Sequence, residues 1–338
     1  MRKEASLEQW KELYEVATRL KERKPWEKFW DMDLIGIRNG AAEDTVFFSI
    51  LGRGGECYGI TAYRGYDGLN RYLMLVMQER MNLSVDFAMY HQRNLTCYWG
   101  NRDELTDKQR KMIKELGYTY RGKNQWLYFM SYEPGYWPYN LDEAEVLRMI
   151  GYLRDLETAL THYDQAGMQV DFEGGNMFLL TFDEEKGTWD FGEEPLPFVE
   201  YQVGNLVITD EELLLDLSKV PKCDAVLEAD ISALGASVTD KKYDRPANPA
   251  LPLLGDALSK TILKFEMPQP EDDSMMVLAE MVIGFIFQYG SPKEIRVSNE
   301  IVEAGLAQIC EVCKIKLRRV KRLPGLESFI QGMERFHM

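Results

Sequence analysis

Between Ser6 and Pro25 the apolar positions Trp10, Leu13, Tyr14, Ala17 and Leu20 recur at three- and four-residue steps. That is the spacing of one helix face, and Ser6 with Gln9 supplies a capping box at its start. Pro25 lacks an amide donor and ends the helix. The pattern then changes to three short β-prone runs, Leu34–Arg38, Thr45–Leu51 and Glu56–Tyr63. Asn39-Gly40 and the Gly52–Gly55 cluster separate them as hairpin turns would. Helical spacing returns over Asp67–Gln78, followed by a strand at Leu95–Trp99 and a helix opened by the box Thr106-x-x-Gln109. A hairpin is expected near Tyr118–Tyr132. Asn140 with Glu143 is expected to cap a long helix running to Tyr163, with Val146, Met149, Ile150, Leu153, Leu156 and Leu160 on its buried face.

A further hairpin turns around Gly187, and residues 195–222 read as a join of two prolines, a short acidic helix and Pro221. The domains expected are therefore 1–200, an α+β unit; 201–222, an acidic linker with a helix; and 223–338, a second unit of mixed strands and helices. The second begins with a strand over Ala225–Ile231, and RPANPALPLLG follows as an extended or coiled stretch. A hairpin-like pair, Leu253–Asp256 with Lys260–Glu266, then leads to an apolar helix (Ser274–Tyr289), a strand (Glu294–Ser298), a helix, a basic strand (Lys314–Val320) and a last helix. The fold class expected is α+β, two mixed-sheet domains with packed helices. In each half the elements run three strands, helix, strand, helix, strand, helix, an order that resembles, in degenerate form, that of ribonuclease H-like folds.

With 338 residues, 45% of them apolar, the chain is large enough for two packed cores. The opening MRKEASLEQW lacks an apolar leader segment, and the apolar run Met275–Phe287 is too short to span a bilayer, which takes about 20 residues. No membrane association is expected. Five scattered cysteines suit a reducing cytoplasm better than a disulfide framework. The net charge of −15 sits in one place: residues 142–220 hold 19 acidic and 4 basic residues. Such a belt repels a phosphate backbone, so nucleic acid is not the expected partner, and a solvated acidic surface is the simpler account of it.

Two-metal phosphoryl chemistry needs converging carboxylates. The second half offers Asp230 (or Glu228), Glu300 and Glu327, but Ser298-Asn299 stands at the strand end where an acid is required, and Asn299 suits a helix start. Metal ligands and cofactors are therefore expected to be none. Cys310-x-x-Cys313 falls within a helix and reads as part of a buried face. LGRGGECYGITAYRG lacks the Gly-Lys-Ser/Thr ending of a phosphate loop and precedes a strand, so its glycines serve turns. KIKLRRVKR (Lys314–Arg322) could meet phosphates, pair with the chain's own acidic belt or protect an edge strand; the internal reading is preferred. Trp126–Tyr139 is dense in aromatics beside Pro-Gly, a composition shared by recognition loops and packed seams.

The stretches LGRGGECYGITAYRGYDGL, PGYWPYNLDEAE, RPANPALP and YGSPKEIRVSNE with LPGLESF are together similar to an uncharacterised bacterial family, mostly from Firmicutes, built from consecutive domains of unknown function. The resemblance covers most of the chain. It implies a two-domain soluble bacterial protein and brings no activity, cofactor or catalytic residue. The segment near Pro292 also resembles the cores of retroviral-type integrases and transposases. The expected function is non-catalytic binding of a protein or small-molecule partner through Arg53, Tyr58, Tyr63, Arg64, Tyr132, Tyr136, Trp137 and Tyr139. The alternative is a divergent ribonuclease H-like nuclease or nucleic-acid binder using Asp230, Glu300 and Glu327.

Overall fold

The computed structural model describes residues 2–233, 235 and 237–337. In chain order the elements are α1 (Leu7–Arg23), β1 (Ile35–Arg38), β2 (Val46–Leu51), β3 (Gly59–Arg64), α2 (Gly65–Val76), α3 (Val85–Tyr90), β4 (Asn94–Gly100), α4 (Asp107–Glu115), β5 (Trp126–Tyr132), α5 (Glu143–Ala166), β6 (Asn176–Asp183) and β7 (Thr188–Pro195). They continue with α6 (Glu211–Lys219), β8 (Val226–Ala233), β9 (Ala250–Asp256), β10 (Thr261–Phe265), α7 (Ser274–Tyr289), β11 (Glu294–Val297), α8 (Glu300–Val312), β12 (Lys316–Arg319) and α9 (Pro324–His337). The fold is α+β with two mixed sheets, one of seven strands and one of five. The chain forms two compact units: 1–73, 92–133 and 138–200 make the first, and 74–91, 134–137 and 201–338 the second.

In the first unit the sheet order is β5-β4-β3-β2-β1-β6-β7. Every neighbouring pair is antiparallel except β1 with β6, which is parallel. The ribonuclease H-like order read into this half is not its sheet: β4 lies beside β3 and not beside β1, so β1–β5 form a continuous meander. Backbone groups pair irrespective of side chain, so an element list alone does not choose the neighbour. α1 and α5 cover the sheet, burying Leu13, Tyr14, Phe48, Ile60, Trp99, Leu153 and Phe178 in one core. α1 starts at its Ser6–Gln9 box and stops at Lys24, left-handed at φ 48°, just before Pro25.

Two local expectations need correcting here. Tyr118–Tyr132 is not a hairpin; its only strand, β5, pairs with β4. The cap of α5 is Asp142 with Glu145, not Asn140 with Glu143. Asp142 accepts from the Glu145 amide and Glu145 from the Asp142 amide, both at 2.9 Å. Glu145 also accepts the Ser131 hydroxyl at 2.7 Å and pairs with Arg2, so a strand and the chain start converge on one carboxylate.

The second unit has the order β10-β9-β8-β11-β12, with β9 antiparallel to both its neighbours and β11 parallel to β8 and β12. Counted along the chain this is 3-2-1-4-5, the strand order of ribonuclease H-like folds. Both faces of the central strands are covered, so β9 reads as a nearly continuous apolar run. Alternation divides it: Ala250 and Leu254 join the core with α7 and α8, while Leu251 and Leu253 meet Leu323 and Leu326 on the α9 side. No helix is long and apolar enough to cross a membrane among the described residues.

Candidate functional site

The two-residue period of β8 sends Leu227, Ala229 and Ile231 into the α7–α8 core and leaves Glu228 and Asp230 on the opposite face. Glu228, 2% exposed, accepts from the Gly325 and Leu326 amides at 3.0 and 3.2 Å, so its carboxylate meets the positive end of α9. Burial still pushes its pKa up. On β11 the same alternation buries Ile295 and Val297, which carries the next residue, Ser298, to the face of Asp230.

Asp230 is held by its own chain. One carboxylate oxygen accepts the Ser298 hydroxyl at 2.7 Å; the other accepts the Asn299 side-chain amide and the Ile231 backbone amide, each at 2.9 Å. Asn299 does two things at once, since its carbonyl oxygen caps α8 by accepting from the Val302 amide at 3.1 Å. Its amide also donates to Ser298 Oγ at 3.1 Å. Desolvation by burial pushes the Asp230 carboxyl up to about 6, against the lowering effect of these three donors. The side chain is half-buried by surface because one side faces a cavity.

That cavity, about 390 Å³, is walled by Phe87, Leu326 and Ile330, with Asp230, Ser298, Glu327 and Lys321 as polar groups. Asn82 closes part of the rim by donating to the Ser298 carbonyl at 2.8 Å. Of the acidic set, Asp230 and Glu327 thus line one cavity; Glu300 does not, and pairs with Arg319 at 2.7 Å. The contribution of residues 82–87 was not legible in the sequence, because nothing in so short a stretch, half apolar and half polar, marks which distant sheet it will meet.

The other singled-out residues are distributed over both units. Arg53 donates to the Lys28 carbonyl and lies over the Trp30 ring. Tyr58 packs edge-on to Trp26, Tyr63 is buried against Tyr72, and Arg64 pairs with Asp44 at 3.1 Å. Tyr132 shares a hydrogen bond with Tyr98, and Tyr139 bridges to Ser131. Tyr136 and Trp137 belong to the second unit and are half-buried there. Tyr136 donates to Glu271 and lies under Arg245; the Trp137 amide donates to the Pro246 carbonyl at 2.9 Å, and its indole meets Tyr90.

The donor set does not fit the paired metal ions that ribonuclease H-like strand order brings to mind. Both oxygens of Asp230 are engaged by neutral donors, Ser298 and Asn299 are not anions, and Glu327 is drawn to Arg322 and the Leu323 amide. Among the described residues no three His, Cys, Asp or Glu side chains converge on a metal position. Lys316, Arg319 and Arg322 of the basic stretch pair within their own unit, with Glu294, with Glu300 and Glu303, and with Glu327 respectively. Cys310 and Cys313 are buried, and burial pushes the Cys310 thiol up to about 12, which keeps it protonated and unreactive.

Comparison with curated proteins gives no match. Among solved structures the chain is similar to one in the cryo-EM structure of the simian T-cell lymphotropic virus intasome in complex with PP2A regulatory subunit B56 gamma, at 15% identity and a TM-score of 0.23. The match covers 32% of this chain and only 39% of the other, too slight a likeness to bear on activity. Residues 213–334 match the family model described as Domain of unknown function (DUF6930). Residues 10–180, more than half of the chain, match Domain of unknown function (DUF7309), and the chain belongs to that family.

Proposed function

We propose that the protein acts by binding and not by catalysis, and that the cavity over Asp230 receives the ligand of the second unit. One observation carries this reading: the carboxylate of Asp230 is occupied by Ser298, Asn299 and the Ile231 amide, donors that fix it in place without an ion. A carboxylate so fixed, beside an apolar wall, recognises a donor group on a small polar molecule or on a partner's side chain. The half-burial of Tyr136 and Trp137 supports moving the contact site from the aromatic loop to this cavity. A bacterial cytoplasmic setting belongs to the same proposal, supported by five unpaired cysteines and the sequence resemblance.

The test uses the whole chain with labelled single- and double-stranded DNA and with manganese or magnesium. The reading expects no cleavage, and metal-induced shifts in thermal unfolding that are the same for the parent and Asp230→Asn. A second reading, a divergent nuclease, is favoured by the shared cavity of Asp230 and Glu327. Manganese-dependent cleavage abolished by Asp230→Asn would establish it and remove the first.

A further inference from the structure

The first unit carries a cleft of its own, between α5 and the start of the sheet, enclosing about 270 Å³. Its floor is apolar, with Phe48 fully buried and Ile37 and Val46 nearly so. Its rim is charged. Arg148, Tyr152 and Asp155 stand at i, i+4 and i+7 of α5, on one helix face, and Asn39 and Arg64 reach the cleft from the sheet. Tyr152 meets Phe48 edge-on, ring centres 6.3 Å apart.

The two guanidiniums are differently placed for a ligand. Arg64 pairs with Asp44, but both are more than half exposed, and such a pair opens at little cost. Arg148 has no carboxylate partner among the described residues. Both act on Tyr152, where their positive charge lowers a phenol pKa that burial raises. On the other side of the rim the Asn39 amide donates to Asp155 at 2.9 Å, and burial pushes the Asp155 carboxyl up.

A separate observation comes from Gly151. It sits in the middle of α5, three residues after Arg148 and four before Asp155, and is therefore their neighbour on the helix surface. A glycine there weakens a helix relative to alanine, and a Cβ added to it would meet nothing within 4 Å. Packing within the fold does not account for it; close approach of another molecule to this stretch of backbone would.

We propose that this cleft binds a small organic anion, a carboxylate or phosphate carried on an apolar body. Arg148 and Arg64 take the anionic group, Phe48 and Tyr152 the body, and Asn39 with Asp155 a hydroxyl or amine on the ligand. Arginine suits the first task because its planar fork matches both carboxylate and phosphate.

The test titrates the whole chain with benzoate and with phenyl phosphate, followed by calorimetry, and compares Arg148→Gln, Arg148→Lys and Gly151→Ala. Saturable binding of at least one probe is expected, weakened about tenfold or more by Arg148→Gln, the loss of one charge-assisted contact. Arg148→Lys keeps the charge without the fork and falls between; it also serves if Arg148→Gln misfolds. Gly151→Ala raises the urea midpoint and weakens the probe. Tighter phenyl phosphate assigns a phosphate ligand, tighter benzoate a carboxylate. Failure of both probes to bind the parent, or binding unchanged in a folded Arg148→Gln protein, overturns the proposal.

Discussion

Replacing Asp230 with asparagine should make the second unit more stable at neutral pH and leave it almost unchanged in acid. The carboxyl titrates near 3.8 in an ordinary setting and is pushed up to about 6 in the fold. A raised acid pKa means the fold favours the protonated form. The stability this group contributes is therefore complete below its unfolded value and is lost as pH rises to about 6. The gap between 3.8 and about 6 corresponds to about 3 kcal/mol, an upper bound because one side of the carboxylate faces an open cavity. Asparagine stands in for the neutral acid at every pH; its oxygen keeps the Asn299 and Ile231 donors, and its amide can donate to a turned Ser298 hydroxyl. The assay is amide hydrogen exchange of residues 226–233 and 294–298, variant against parent at the same pH. It reads the second unit locally, which tryptophan fluorescence would not, since six of the seven tryptophans lie in the first unit. Up to about a hundredfold slower exchange is expected for the variant at pH 7.5, and near equality at pH 4. Equal protection at both pH values, or faster exchange in the variant at pH 7.5, would refute the reasoning.

Ser298→Ala removes the 2.7 Å donor to Asp230 and should cost about 1–2 kcal/mol at pH 7.5 but little at pH 4; the same cost at both in urea unfolding would contradict a role in holding the charge. Tyr136→Ala with Trp137→Ala should destabilise the second unit by about 3–5 kcal/mol, and an unchanged circular-dichroism midpoint would mean the loop is not packed as described. Gly135→Ala adds a Cβ only 2.2 Å from the Pro270 carbonyl oxygen at a residue of φ +81°, so a loss of about 2–3 kcal/mol or more is expected, and a parent-like midpoint would sink it. Glu294, 8% exposed and held down at about 2 by Arg296 and Lys316, contributes stability that is present above its ordinary 4.5 and lost as pH falls toward 2. Glu294→Gln should cost about 1–3 kcal/mol at pH 7 and only a small part of that at pH 2, read by acid unfolding of both proteins.

Much of the secondary structure was legible in the sequence. Helical spacing marked α1 and α5, an apolar run marked α7, the boxes at Ser6 and Thr106 marked two helix starts, and Gly187 marked the β6–β7 turn. The Ser298-Asn299 pair was readable as a strand end without an acid and Asn299 as a helix start, because capping and strand length are local properties. Local signals failed where two of them competed: Asn140 and Asp142 both precede a glutamate by three residues, and only the packing of Glu145 against Ser131 and Arg2 selects the second.

What the sequence determined by itself was which residues turn inward and where elements begin and end, since side-chain period and capping act over a few residues. Only the tertiary structure decided which strand lies beside which. It set β4 against β3 in the first unit and β11 against β8 in the second, because ladder hydrogen bonds run between backbone groups common to every residue. It also decided that Ser298 and Asn299, 68 and 69 residues from Asp230, would take the place of a counter-ion around it. A carboxylate's partners are fixed by distance in space, and no pattern along the chain records that distance.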